Sequence, residues 1–468
     1  MSGYYLMPHP PIMAYEVGRE ETQKVQKTIE SCRSIGQEIK AIQPETIIII
    51  TSHGPLFSDA IALSLEPSIS GSLRQFGAPN VALSYDIDLE LTKLIIDKAT
   101  SQNIQTVGVT KKFLKYYNRQ YELDHGSIVP LSFVHEYYQD YKLVHITYGM
   151  INCLDLYRFG LLIRDAIREL GRKVVVIASG DLSHRLSHDG PYSYSPKGKI
   201  FDETIIKYLE EGKTLEIFKM NKKDIEEAGE CGYRSILILL GVLGKFKGQI
   251  LSYEAPFGVG YAVGKFTSVA DENLYEKLKE NHLQKVQEKI INSDDYVKLA
   301  RQSLQYYFKH KRLMEVPKEL PPEMLETRRG VFVSLKKEGS LRGCIGTFLP
   351  TTYSIAHEII QNAYEAAFHD PRFPELTEDE LDDIEISVDV LSEPAKANIE
   401  ELDPKKYGII VMQGKRRGLL LPDLEGVDTV SKQIAIACQK AGIDPNKHFE
   451  IEKFTVERHV EGGLKHEV

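Results

Sequence analysis

Short apolar runs separated by amphipathic stretches fill the first 270 residues. Residues 45–51 (ETIIIIT) form a continuous, β-branched apolar run, the pattern of a strand buried on both faces. Residues 142–147 (KLVHIT) and 173–178 (KVVVIA) repeat it. Residues 21–41, 88–101, 155–170 and 199–211 carry their apolar positions at helical spacing. Strands alternating with helices of this length predict an α/β domain over 1–270, with a mostly parallel sheet and flanking helices.

The patterning then changes. Residues 271–293 are dense in charge and poor in apolar periodicity, which predicts a solvated helical connector. Beyond it, 294–310 is amphipathic, and 330–336 (GVFVSLK) and 384–391 (IEISVDVL) alternate as half-buried strands do. Helices are predicted over 353–368 and 429–441, and a hairpin joins 408–412 to 417–421 around Gly414. Strand and helix alternate less regularly here, so 294–468 is expected to be an α+β domain.

Composition narrows the functional class. The chain has 468 residues, enough for two to four domains. Its 58 Lys and Arg against 67 Asp and Glu give a net charge of -9. That balance excludes a general nucleic-acid binder, which needs a basic footprint. The apolar runs are too short to cross a bilayer, and the first residues (MSGYYLMPHPPIM) lack the parts of a signal peptide. Five scattered cysteines, Cys32, Cys153, Cys231, Cys344 and Cys438, argue against a disulfide framework and for a reducing cytoplasm. A homo-oligomer without nucleic-acid or membrane partners is expected.

Histidines mark where chemistry could sit. His9 (MPHPPIM), His53 (TSHGP) and His184 (ASGDLSH) follow apolar strands, and His125 (LDHGSIVPL) opens a turn. Ligands in open α/β sheets bind beyond the carboxyl ends of strands. Any one of these histidines is equally well a surface or capping residue. Four in such settings point to a metal, because neutral imidazole is the commonest transition-metal ligand. Carboxylate candidates are Glu230 (EAGECGYRS) and Glu254 (SYEAPFG). Glu230 also suits the first turn of a helix, and its neighbour Cys231 can ligate as thiolate.

PHPP at His9, SHG at His53, DHGSIVPL at His125, GDLSH at His184 and ECGYRS at Glu230 resemble, in that order, the class III (LigB-type) extradiol dioxygenase superfamily and its Memo-like relatives. The resemblance implies that His9, His53 and Glu230 hold Fe(II), with Cys231 the alternative third ligand. It implies His184 as acid/base, His125 as a hydrogen-bond donor to substrate or oxygen, and Asp181 as the residue orienting the His184 turn. Tyr253 and Glu254 are expected at the substrate. The implied reaction is ring cleavage of a catechol-like or other small aromatic substrate, or a related redox reaction. The same ligands permit a Zn(II) hydrolase or lyase. A non-catalytic metal-binding adaptor is a third class.

The second unit carries LRGCIGTF (341–348), AFHDPRFPELTEDELDDIEISVDVLSEP (367–394) and YGIIVMQGKRRGLLLP (407–422). These resemble the AMMECR family across nearly its length. Within them Arg342 can hold an anion, and Cys344 is a candidate nucleophile, with His369 a candidate partner. A small buried Cys in a tight strand is the plainer reading of Cys344. Both halves together resemble the fusion proteins of the AmmeMemoRadiSam system, which implies a radical S-adenosylmethionine enzyme as partner.

Overall fold

The computed structural model describes residues 3–463 apart from 338 and 425, together with the backbone of 466–467. The chain divides into two compact units, Met1–Glu280 and Asn281–Val468. The division falls within the helix Tyr275–Asn292, inside the charged stretch.

The first unit holds strands β1 (Gly3–Met7), β2 (Thr46–Thr51), β3 (Ile61–Ser64), β4 (Ser68–Leu73), β5 (Ala78–Asp86), β6 (Thr106–Val109), β7 (Lys142–Thr147), β8 (Val174–Ser179), β9 (Lys245–Glu254) and β10 (Tyr261–Ala270). An eight-stranded sheet runs in the order β6-β3-β7-β2-β8-β1-β10-β9, and β4 and β5 pair separately. Its centre is parallel, β7 to β2 to β8 to β1. Antiparallel pairs flank it, β3 with β7 on one side and β1 with β10 and β9 on the other.

The apolar run in β2 explains its own position. Ile48 and Ile50 pack into one layer with the helices Leu89–Ser101, Cys153–Leu170 and Tyr233–Leu243. Ile47 and Ile49 pack into the opposite layer with the helices Gln26–Ile42 and His125–His135. Alternate side chains point to opposite faces, so a strand covered on both sides must be apolar throughout. Each buried Ile contributes roughly 2 kcal/mol. A charge at Ile48 would have no water and no partner.

Two turns meet closely beyond β8. A Cβ on Gly180 would stand 2.1 Å from the Cα of Gly232. Only a residue without a side chain allows the GDLSH turn to touch the turn that precedes the helix Tyr233–Leu243.

The second unit holds β11 (Val331–Lys337), β12 (Ser340–Gly346), β13 (Ile384–Leu391), β14 (Ala395–Lys396), β15 (Gly408–Gln413), β16 (Arg416–Leu420), β17 (Glu450–Phe454), β18 (Val456–Val460) and β19 (His466–Glu467). They form sheets in the orders β12-β11-β13-β18-β19 and β14-β17-β15-β16. Val331, Val333 and Leu335 alternate into a core with the helices Asp295–His310 and Ile355–Phe368. The helix Val430–Ala441 packs on the second sheet. The unit is α+β. Among the described residues no helix is long and apolar enough to cross a membrane.

Candidate metal centre

Strands β2, β8 and β1 lie side by side and parallel, so their carboxyl ends open on one place. The segments leaving them carry His53, then Asp181 and His184, then His9. The His9 Nε2 lies 3.0 Å from Nε2 of His53 and 3.5 Å from Sγ of Cys231. An Asp181 carboxylate oxygen stands 4.0 Å from the same nitrogen. The rings of His53 and His125 are 4.0 Å apart. The ligand atoms form two groups that share His9: His9, His53 and His125, and His9, Asp181 and Cys231, with all atoms in each within 4.8 Å. His9, Asp181 and Cys231 are buried, His125 is half-buried and His53 is exposed. The site thus has a closed floor and an open mouth.

Hydrogen bonds fix these side chains. The backbone N–H of His9 donates to Asp181 Oδ1 at 2.9 Å, and His9 Nδ1 faces the Ser179 hydroxyl at 2.8 Å. The backbone N–H of Cys231 donates to the Asp181 carbonyl at 3.3 Å, and the Tyr148 hydroxyl donates to the Cys231 carbonyl. Asp124 is the hub on the other side. It accepts from His145 Nε2 at 3.0 Å, from the Thr51 hydroxyl at 2.7 Å and from the Ser127 N–H at 3.1 Å. The last bond caps the helix that begins at His125. The Thr51 hydroxyl in turn accepts from the His53 N–H at 3.2 Å. One carboxylate therefore places both His53 and His125.

The electrostatics suit a cation. Burial, reinforced by neighbouring imidazoles, holds His9 well below its ordinary range and pushes His125 down to about 3. Burial lowers His53 and His184 as well. All four are neutral at pH 7 and offer lone pairs. Burial pushes Asp181 up to about 6, and burial with the charges of Asp181 and Glu230 raises the Cys231 thiol well above its usual value. Burial acts against Asp124 too, but the hydrogen bond and charge of His145, the Thr51 hydroxyl and the charge of His125 together outweigh it and hold the carboxyl well below its ordinary range. Neutral nitrogens, a thiol and a carboxyl gathered in two groups around His9 fit a transition-metal ion, whose arrival would displace the remaining protons.

The residues expected from sequence separate here. His9, His53 and His125 come together, and Cys231 joins them on the floor. Glu230 belongs to neither group. Its carboxylate accepts from the Tyr233 N–H at 2.5 Å, at the start of the helix Tyr233–Leu243, and burial pushes it up to about 7. The turn directs Glu230 back onto its own helix and Cys231 toward His9. His184 lies beside the groups and stacks on Tyr192, with ring centroids 5.2 Å apart. The Tyr253 hydroxyl donates to Asp202 at 2.6 Å, and Glu254 accepts from the N–H and hydroxyl of Thr28 at 2.8 and 2.7 Å. Asp124, His145 and Ser179 stand outside the set of residues expected from the sequence. An Asp directly before HGS is a capping signal, and His145 breaks an apolar strand, so two of the three left a trace.

In the second unit, Arg342 donates to Glu380 at 3.0 and 2.8 Å and to the carbonyls of Pro374 and Glu375. Its anion is thus an internal carboxylate. The Cys344 N–H donates to buried Asp370 at 2.9 Å, and Asp370 holds Arg372, which also reaches the Cys344 carbonyl at 3.1 Å. The Ser334 hydroxyl lies 3.2 Å from Cys344 Sγ. His369 instead pairs with Glu365 at 3.0 Å.

This chain belongs to the LigB family, the catalytic LigB subunit of aromatic ring-opening dioxygenase, whose model matches residues 3–264. An AMMECR1 domain follows and matches residues 297–459. The protein CA_C1420 of Clostridium acetobutylicum is 50% identical over 465 residues, 98% of this chain and 99% of its own. A Thermotoga maritima protein is 52% identical over 173 residues, 36% of this chain and 99% of its own. The crystal structure of Pyrococcus horikoshii protein PH0010 covers 38% of this chain and 96% of its own, at 31% identity and a TM-score of 0.35.

Proposed function

We propose that the first unit is a metal-dependent oxidoreductase that holds Fe(II) on His9, His53 and Cys231, with Asp181 and His125 beside them, and acts on a small catechol-like substrate. The observation that carries this reading is His9 Nε2, set 3.0 Å from His53 Nε2 and 3.5 Å from Cys231 Sγ. When bound, the metal supplies an electrophilic centre at which a substrate oxygen and O2 can be brought together. His184, kept neutral by burial, accepts a phenolic proton at a ring nitrogen and can return it to a leaving oxygen. Asp124 keeps the rings of His53 and His125 in place while this happens. The buried floor of His9, Asp181 and Cys231 excludes water from that side.

The test is anaerobic loading with Fe(II), metal analysis, and oxygen uptake against a panel of catechols. His9→Ala and His53→Ala should lose the metal, and His184→Ala should keep it and lose turnover. Full metal content in the first two variants would overturn the reading.

Cys231 favours a second reading. A thiolate is a common zinc ligand and stands outside the iron set of two histidines and a carboxylate. A Zn(II) hydrolase or lyase on the same residues would keep its activity under strict anaerobiosis.

A further inference from the structure

Two exposed aromatic rings stand against the open side of the site, each on a different loop. Tyr192 is 52% exposed and lies nearly parallel to the His184 ring, at 19° and 5.2 Å. Phe76 is 37% exposed and meets the His125 ring edge-on, at 71° and 5.1 Å. A single exposed ring needs no explanation. Two, both in ring contact with imidazoles of one cluster, do.

Neither loop is loose at its base. The segment carrying Tyr192 is closed by the Leu186 N–H on the Gly258 carbonyl and by the Ser195 N–H on the Arg185 carbonyl, both 3.0 Å. Inside it, the rings of His188 and Tyr194 pack 4.3 Å apart. Phe76 ends a short 3-10 turn, Arg74–Phe76, which Gly77 closes at φ 80. Arg74 anchors that turn to Glu122 at 2.6 Å. Rings held this way keep their place when water leaves.

We propose that Phe76 and Tyr192 are specificity-determining residues that grip the ring of a planar aromatic substrate at the mouth formed by His53, His125 and His184. The inference rests on the metal-site reading above. Aromatic pairs favour edge-on and offset-stacked contacts, so a ring entering here would exchange water for such contacts on two sides. A chelating substrate without a ring would reach the same centre and gain nothing from either residue.

The experiment uses the full chain loaded anaerobically with Fe(II). Two oxygen chelators serve as probes: 4-nitrocatechol, followed by its visible absorption, and acetohydroxamate, followed by its displacement of 4-nitrocatechol and by calorimetry. Phe76→Ala and Tyr192→Ala should each weaken 4-nitrocatechol about 3- to 10-fold. Metal content and acetohydroxamate affinity should stay unchanged, and Tyr192→Phe should restore binding. Equal losses for both probes, or no loss for either, overturn the inference. So does wild-type protein that binds metal and acetohydroxamate but not 4-nitrocatechol, and in that case the metal site stands. Wild-type protein that takes up no metal overturns the metal reading itself, and the inference falls with it.

Discussion

The Ser179 hydroxyl lies 2.8 Å from Nδ1 of His9 and also donates to the carbonyl of Gly126. Its one proton is thereby committed, so it can only accept from His9. Nδ1 then carries the imidazole proton, and Nε2 turns its lone pair toward His53 and Cys231. Orienting partners of this kind set both the tautomer and the basicity of a ligating histidine. Ser179→Ala should lower metal affinity about 10- to 100-fold. The fold should lose only about 2 kcal/mol, the worth of two hydrogen bonds. Calorimetric metal titration beside urea unfolding separates the two effects, and unchanged metal affinity would remove Ser179 from this role.

Cys231 and Glu230 are neighbours with different tasks. Cys231→Ala removes a donor 3.5 Å from His9 Nε2 and should cut bound metal sharply. Glu230→Gln removes a carboxylate that serves the N–H of Tyr233. It should keep the metal and cost about 1 kcal/mol of stability through the helix start. Metal content of the purified variants decides between them, and loss of metal from Glu230→Gln would return that residue to the site.

Asp202 couples pH to the loop that bears His184. It accepts from the Ser183 N–H at 2.8 Å and from the Tyr253 hydroxyl at 2.6 Å, and burial pushes its carboxyl up to about 7. In the unfolded chain an Asp titrates near pH 3.9, roughly the model-peptide value. Between these values the folded protein holds a proton that the unfolded chain has released. The contribution of Asp202 to stability is therefore greatest below about pH 4 and declines as pH rises toward 7. Asp202→Asn should flatten that slope. Urea midpoints of both proteins from pH 4.5 to 7.5 give the comparison, and parallel slopes would exclude Asp202 as their source.

The parts of this fold visible in the sequence are those whose pattern reports their surroundings. Ile47–Ile50 announce a strand covered on both faces because both layers must be apolar. His9, His53 and Asp181 are visible because each follows such a strand directly. What is hidden depends on direction. Glu230 and Cys231 differ by one position, and which side chain meets His9 follows from a turn packed against Gly180 at Gly232 and held by the Cys231 N–H on the Asp181 carbonyl. Ser179 looks like the end of a strand until the Gly126 carbonyl is placed over it. The side chains of Tyr253 and Glu254 have polar ends, yet a distant Asp202 and Thr28 take them.

In the second unit, Arg301 is wholly buried and meets Glu461 at 2.5 and 2.8 Å. Two further N–H groups serve the carbonyls of Leu381 and Ile384 at 2.6 and 2.8 Å. Removing one partner of a buried pair leaves the other charged in a medium that cannot solvate it, at a cost of about 3–5 kcal/mol. Arg301→Ala should destabilise this unit by that amount. The double variant Arg301→Met with Glu461→Leu buries no unpaired charge and should be the more stable of the two, although the two backbone carbonyls lose their donors in both and the Ile386 N–H also loses its acceptor. Thermal unfolding of the full chain orders the three proteins, and metal content should be the same in all of them. A double variant less stable than Arg301→Ala would show that the bond Glu461 accepts from the Ile386 N–H at 3.3 Å is worth more to this core than relief of the unpaired carboxylate.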